Sequence, residues 1–234
     1  METIFRQDSY AARCDATVVG SDERGVMLDR TVCYPTGGGQ PGDTGVLRHG
    51  GAGLRITDTI KGDGPDTVIH VLEPGTAAPA PGEPVVVELD WDRRFAHMRM
   101  HTCLHLLCAL VPGAVTGGQI GTDKSRLDFN VPSGSLDKDD LTAALNRLVD
   151  GDHAVRYRWI DDAELGASPD LVRTMSVKPP TGTGKVRLVE IDGVDLQPCG
   201  GTHVARTGEI GRVEVVKIEN KGKQNRRVVV ALAT

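Results

Sequence analysis

Two short stretches hold the residues best suited to chemistry. "QPCGGTHVAR", Gln197 to Arg206, sets Cys199 and His203 four apart around two glycines. Far upstream, "MHTCLHLL" sets His101 and His105 four apart. On a helix, residues i and i+4 stack on one face, so this pair suits two imidazoles on one metal. The same spacing also serves two core or surface histidines. Cys199 and His203 offer a thiolate and an imidazole, the ligand types zinc favours. Pro198, Gly200 and Gly201 keep that segment out of regular helix and let the backbone curl round an ion. Together the pairs argue for one site built from His101, His105, Cys199 and His203. Three ligands with an open position would make a catalytic zinc, and four closed ligands a structural one; spacing leaves both open.

Neighbouring residues exclude several alternatives. A metalloprotease helix of the HExxH kind needs a Glu directly after its first His, and Thr102 stands there. His97 lies one turn further upstream. Each four-residue step drifts by roughly 40°, so three such histidines cannot all face one ion, and His97 reads as structural or as support for a ligand. Cys103 and Cys108 read as small core residues. "PPTGTGKVR", Pro179 to Arg187, lacks the first glycine of a phosphate loop and has Val186 where a Ser or Thr should hold magnesium. "YPTGGGQPGDTG", Tyr34 to Gly45, opens no helix and is not a dinucleotide fingerprint. Its glycines suit close approach of backbone to a ligand or to the other domain. No nucleotide cofactor is expected.

The elements that must position these residues fall into two parts. Residues 1–90 read as a small β-barrel, from short apolar runs such as "ATVVG", "GVMLD", "TVIHVL" and "PVVVELD" broken by Gly, Pro and Asp. "EPGTAAPAPGEP", Glu73 to Pro84, is a surface connection within it. Residues 91–234 read as an α+β domain with a mainly antiparallel sheet. Asp90 or Asp92 caps a helix that Pro112 and Gly113 close, with Leu104, Leu107, Cys108 and Val111 as its apolar face. A second helix is expected over Leu136 to Val149. "SRLDFNV", "HAVRYRWI", "KVRLVEI" and "VDLQP" read as strands, and "GRVEVVKIENKGKQNRRVVVALA" as a hairpin with a basic turn.

Composition bounds the rest. At 234 residues the chain can bury its own core without staples. Aromatics make up only 3%, so that core rests on Val, Leu, Ile and Ala. The N-terminus has no apolar run of the signal-peptide kind, and no stretch approaches a membrane span. Five cysteines, an odd number, fit a reducing cytoplasm better than a disulfide framework. The net charge of -5 argues against bulk nucleic-acid binding. From His203 onward, however, seven Lys and Arg face three Glu. Lys221, Lys223, Arg226 and Arg227 make a local patch that suits a phosphate backbone, or equally an ordinary solvated turn.

"HTCLHLL" with "CGGTHV" resembles the zinc motifs of the alanyl-tRNA synthetase editing domain and its free-standing relatives, the AlaX-type alanyl-tRNA editing proteins. "CYPTGGGQPGDTG" resembles the glycine-rich motif of the longer members, which carry a β-barrel ahead of the editing domain. "VTGGQIGTDKSRLDF", Val115 to Phe129, follows their pattern too, and the motif order agrees along nearly the whole chain. Threonyl-tRNA synthetases share a related editing domain, but the glycine-rich motif favours the alanine branch. The resemblance implies a zinc-dependent hydrolase that deacylates mischarged tRNA(Ala), chiefly Ser-tRNA(Ala) and also Gly-tRNA(Ala). It implies Zn2+ at the four ligands, substrate contacts from Thr116, Gly37, Gly38 and Gly39, and tRNA as partner. Synthetase editing domains carry a glutamine directly after the pair matched by Val115 and Thr116; here Gly117 stands there, with Gln119 two residues on. Backbone N–H groups of Gly200 and Gly201, beside Cys199, are our candidates for an oxyanion site. Two other classes fit the residues: an RNA-binding module with a closed structural zinc, and a zinc hydrolase of another ester.

Overall fold

A computed structural model describes residues 1–64, 66–132, 134, 136–167, 171 and 184–233. The chain divides into two compact units. One is Met1–Gly37 with Pro41–Phe95; the other is Gly38–Gln40 with Ala96–Thr234.

The first unit is built on β1 (Glu2–Thr3), β2 (Arg13–Asp22), β3 (Gly25–Leu28), β4 (Arg30–Thr31), β5 (Gly45–His49), β6 (Ala52–Lys61), β7 (Val68–Leu72) and β8 (Pro84–Leu89). Strands β2-β3-β7-β6-β5-β8 close into a barrel with antiparallel neighbours, and β1 pairs with β4 in parallel. Inward positions alternate along each strand. Val18, Val26, Leu28, Leu47, Ile56 and Val87 fill the interior, with no aromatic ring among them. The stretch from Glu73 to Glu83 joins β7 to β8 largely at the surface, with Pro79 turned in. The glycine-rich segment leads into β5.

Helix α1 (Trp91–Leu110) opens beside Asp90, whose carbonyl accepts from Arg94 N at 3.0 Å. Arg94 is fully buried. It pairs with Asp43 and donates to the carbonyls of Ser9 (3.0 Å) and Val32 (2.6 Å). Asp43 also accepts from Tyr34 N at 2.6 Å, so the carboxylate of the glycine-rich segment organises this end of the unit. A buried charge pair of this kind persists only because each lone pair and proton has a partner.

The second unit continues α1 and adds β9 (Ala114–Gln119), β10 (Lys124–Asn130), α2 (Lys138–Asp150), β11 (Val155–Asp161), α3 (Asp162–Ala167), β12 (Lys185–Ile191), β13 (Asp195–Pro198), β14 (Val213–Asn220) and β15 (Asn225–Leu232). Two antiparallel sheets result, in the orders β14-β15-β10-β9 and β11-β12-β13. From His97 to Cys108 every residue of α1 except Arg99 is buried. The expected single apolar face was too narrow: from His97 to Cys108 the helix is enclosed nearly all round, and His101, Thr102 and His105 are held there by specific hydrogen bonds. Helix α2 starts at Lys138 because Asp137 caps it, accepting from Asp139 N (2.8 Å) and Asp140 N (2.9 Å). It docks on β14 through Asn146, which exchanges hydrogen bonds with Val213. Residues 179–183 of the "PPTGTGKVR" stretch lie outside the described residues.

Candidate metal centre

Helix α1 presents His101 and His105, and the turn after β13 presents Cys199 and His203. Their ligand atoms all lie within 4.8 Å of one another. Cys199 Sγ is 3.5 Å from His101 Nε2 and 3.3 Å from His203 Nε2. The four side chains that spacing nominated therefore converge. Among the described residues His97, buried on the same helix, is not part of this group.

Each imidazole is held from behind through Nδ1. His101 Nδ1 meets Gln40 Oε1 at 2.9 Å. An amide oxygen can only accept, so this Nδ1 carries the proton and Nε2 keeps its lone pair. Gln40 is fixed in turn, accepting from Thr202 N (3.1 Å) and donating to Thr202 Oγ1 (2.9 Å). His105 Nδ1 meets Asp195 Oδ2 at 2.9 Å, and Gln197 Nε2 donates to the same carboxylate oxygen at 2.8 Å. Thr102 Oγ1 donates to Met98 O at 2.9 Å, leaving its lone pairs for His203 Nδ1 at 3.2 Å. Thus all three rings are engaged at Nδ1, which leaves Nε2 as the nitrogen each could offer a metal once it is unprotonated. Such outer partners orient the ligands of metal sites and raise their basicity.

Electrostatics agree with the donor set. Burial opposes a thiolate at Cys199, but the charges of His101 and His203 outweigh it and bring the thiol well below its ordinary value. Burial, followed by the charge of His101, pushes His203 well below the usual imidazole range. Burial also opposes a charge on His105, yet the hydrogen bond to Asp195 and the neighbouring Cys199 carry that ring up to about 9. A soft anion and three imidazoles with ligand atoms within 4.8 Å of one another suit a tetrahedral N/S metal.

The Cys-Gly-Gly turn is shaped around the rings. A Cβ on Gly201 would overlap the His101 ring, so only glycine lets the turn pass. Gly201 N–H points at Cys199 Sγ at 3.4 Å, so it supports the thiolate rather than an external oxyanion. Gly200 is exposed. Arg187 on β12 pins the turn, donating to Cys199 O at 2.9 Å and to Gly201 O.

The other nominated residues fall in different places. Gly39 has φ +83°, accepts from Ile120 N at 2.8 Å, and would bring a Cβ to 3.0 Å of Gly118 O. This links Gly38–Gln40 to the end of β9. Gly37 belongs to the first unit, where its carbonyl accepts from Tyr34 Oη at 2.7 Å. Thr116 is half-buried on β9, its hydroxyl donating to Asp128 O at 3.2 Å. Gln119 is exposed and accepts from Arg126. At the β14–β15 turn Lys221 and Lys223 are exposed. Arg226 departs from the expected surface position: it is 3% exposed and donates to the carbonyls of Gly222, Lys223 and Asn225. Arg227 forms a two-pronged pair with Asp128 at 2.8 and 2.9 Å. Gln40, Asp195, Gln197, Thr102 and Arg187 escaped the sequence reading, having no local spacing that marks them.

A two-unit chain with a barrel and a His/His/Cys/His centre on an α+β sheet defines a class, and the comparisons agree with it. Residues 5–93 match the family described as tRNA synthetases class II (A), and residues 186–229 match the Threonyl and Alanyl tRNA synthetase second additional domain. Alanyl-tRNA editing protein AlaX-M of Methanosarcina acetivorans is 36% identical over 99% of this chain and 98% of its own length. The protein of that name from Saccharolobus solfataricus is 33% identical over 97% of each. AlaX-L of Pyrococcus horikoshii is 32% identical over 97% of this chain and 57% of its own length. The chain belongs to the alanyl-tRNA editing protein family.

Proposed function

We propose that the protein is a trans-editing hydrolase that deacylates mischarged tRNA(Ala), chiefly Ser-tRNA(Ala) and also Gly-tRNA(Ala), with zinc held by His101, His105, Cys199 and His203. The observation that carries the reading is the convergence of four ligand atoms within 4.8 Å, with every imidazole Nδ1 already engaged. Relatives named as alanyl-tRNA editing proteins support the substrate. Zinc would supply Lewis acidity towards the ester carbonyl and water. The chain's own residues do the positioning. Gln40, Asp195 and Thr102 hold the imidazole tautomers. Arg187 and Gly201 fix the Cys199 turn, and the Gly200 N–H is left as the oxyanion donor.

Editing of this kind must spare alanine. An alanine-sized pocket cannot strongly reject serine, which only adds a hydroxyl, whereas a site built to bond that hydroxyl rejects alanine. Thr116 suits this role. Its proton is committed to Asp128 O, so its oxygen can accept from a serine hydroxyl. Gly37, Gly38 and Gly39 let backbone approach the amino acid closely. Lys221 and Lys223 meet tRNA phosphates. Among the described residues no helix is long and apolar enough to cross a membrane, and we place the reaction in the cytoplasm, where its substrate is made.

Four converging donors also suit a closed structural metal. Side-by-side deacylation of Ser-tRNA(Ala), Gly-tRNA(Ala) and Ala-tRNA(Ala) separates the readings. The proposal expects the first two to be hydrolysed and the third spared. Metal content near one zinc per chain should accompany activity, and Cys199→Ala should lose both. No hydrolysis by the zinc-loaded protein would leave the RNA-binding module in possession.

A further inference from the structure

The three-stranded sheet carries a row of side chains of which the proposed mechanism uses only Arg187. Strand β11 is an edge strand of that sheet. Alternate residues share a face, which puts Tyr157 and Trp159 on one side. Directly opposite residues of an antiparallel pair share that face as well, which adds Arg187, the partner of Trp159 on β12. The Arg187 guanidinium lies over the Tyr157 ring, 4.3 Å from its centroid, while donating to the Cys199 and Gly201 carbonyls. The Tyr157 ring meets His203 edge-on at 6.5 Å. A continuous layer therefore runs from the metal ligands through Arg187 and Tyr157 to Trp159. Arg187 is buried, but Trp159 is 43% exposed, and no ring or cation among the described residues stacks on it. With aromatics at 3% of the chain, an open indole at the end of this layer is not needed by any core.

We propose that Trp159 is a stacking platform for the nucleobase of the aminoacylated terminal nucleotide. The inference rests on the deacylase reading and adds the group that holds the nucleoside. A substrate that brings its ester to the four ligands must put the attached base within one nucleoside of them. Trp159 sits one same-face step beyond Tyr157, about 7 Å along the strand, on the side that faces the ligands. An indole offers a large π-face to any base, and such stacking is worth about tenfold in affinity or somewhat more. Because the base does not react, stacking acts equally on bound substrate and transition state. Its loss should raise KM and leave kcat nearly unchanged.

Steady-state kinetics on Ser-tRNA(Ala) with the zinc-loaded protein tests this. Trp159→Ala should raise KM about tenfold. Trp159→Phe, which keeps a ring, should recover most of that loss, whereas Trp159→Leu, apolar but without a π-face, should not. A binding readout stands beside it. In a Trp91→Phe background Trp159 is the one remaining tryptophan. The unreactive probe 3′-seryl-amido-3′-deoxyadenosine should quench its fluorescence. The same probe without adenine should bind about tenfold more weakly and not quench. Equal affinity for the two probes, or a KM that Trp159→Ala leaves in place while the wild type deacylates normally, overturns the platform alone. A wild type that hydrolyses none of the mischarged tRNAs overturns the deacylase reading beneath it.

Discussion

The side chains that could hold a metal are half of what such a centre needs; the other half fixes which nitrogen faces away from it. His101, His105, Cys199 and His203 were legible because ligand types at four-residue spacing leave a mark in the chain. Gln40 and Asp195 left none, since they approach His101 and His105 from remote parts of the sequence. Replacing Gln40 by Leu removes the acceptor behind His101 while keeping its bulk. Zinc affinity should fall about 10- to 100-fold, read by competition with a chelating dye. Undiminished affinity would mean that the His101 tautomer is set without Gln40. Gly201→Ala should lower zinc content as well, because its methyl and the His101 ring claim the same space. Thr116→Val tests the proposed specificity contact. Ser-tRNA(Ala) hydrolysis should slow several-fold, for a loss of about 1 kcal/mol, while Gly-tRNA(Ala), which offers no hydroxyl, changes less. Equal slowing of both would move serine recognition to the glycine-rich loop from Gly37 to Gln40.

At the scale of elements, the strands and the two long helices could be read from alternation, caps and breakers. The enclosure of α1 could not, because Thr102 and His105 look like solvent-facing residues until their partners across the fold, His203 and Asp195, are known. The basic hairpin shows the same limit. Charge counting grouped Lys221, Lys223, Arg226 and Arg227, but Arg226 ties the turn together from inside and Arg227 is paired with Asp128. That leaves the two exposed lysines, of which Lys221 lies 3.1 Å from Glu219. Replacing both with Ala should weaken tRNA binding and flatten the log–log salt dependence by up to about 0.9 for each phosphate no longer neutralised. An unchanged slope would assign them to a solvated turn.

On the scale of the whole molecule, the barrel carries an acid-sensitive group of its own. His70 is fully buried; its Nδ1 donates to Val26 O (3.1 Å) and its Nε2 accepts from Thr31 Oγ1 (2.8 Å). Burial lowers its pKa from 6.5 to about 4. The unfolded chain therefore takes up this proton first, so stability present above about pH 6.5 is lost as the pH falls towards 4. Full loss amounts to about 3 kcal/mol. Urea unfolding across that range should show it, and a His70→Gln variant should show a shallower slope. Equal slopes would mean that other groups carry the acid response. The strand-to-helix change of pattern suggests a boundary at residue 90. The fold groups Gly38–Gln40 with Ala96–Thr234 instead, and no composition shift could announce three residues that leave their surroundings. That loan limits the chain's modularity. An engineer who excises 96–234 as a portable catalyst takes the four ligands but abandons the glutamine that orients one of them. Such a fragment should bind zinc no better than Gln40→Leu does, and a Gly-Gly-Gln graft supplied beside Thr202 and the end of β9 should restore it. The part proposed to hold the metal is thus discontinuous in the gene, and recombination between relatives would have to carry both pieces at once.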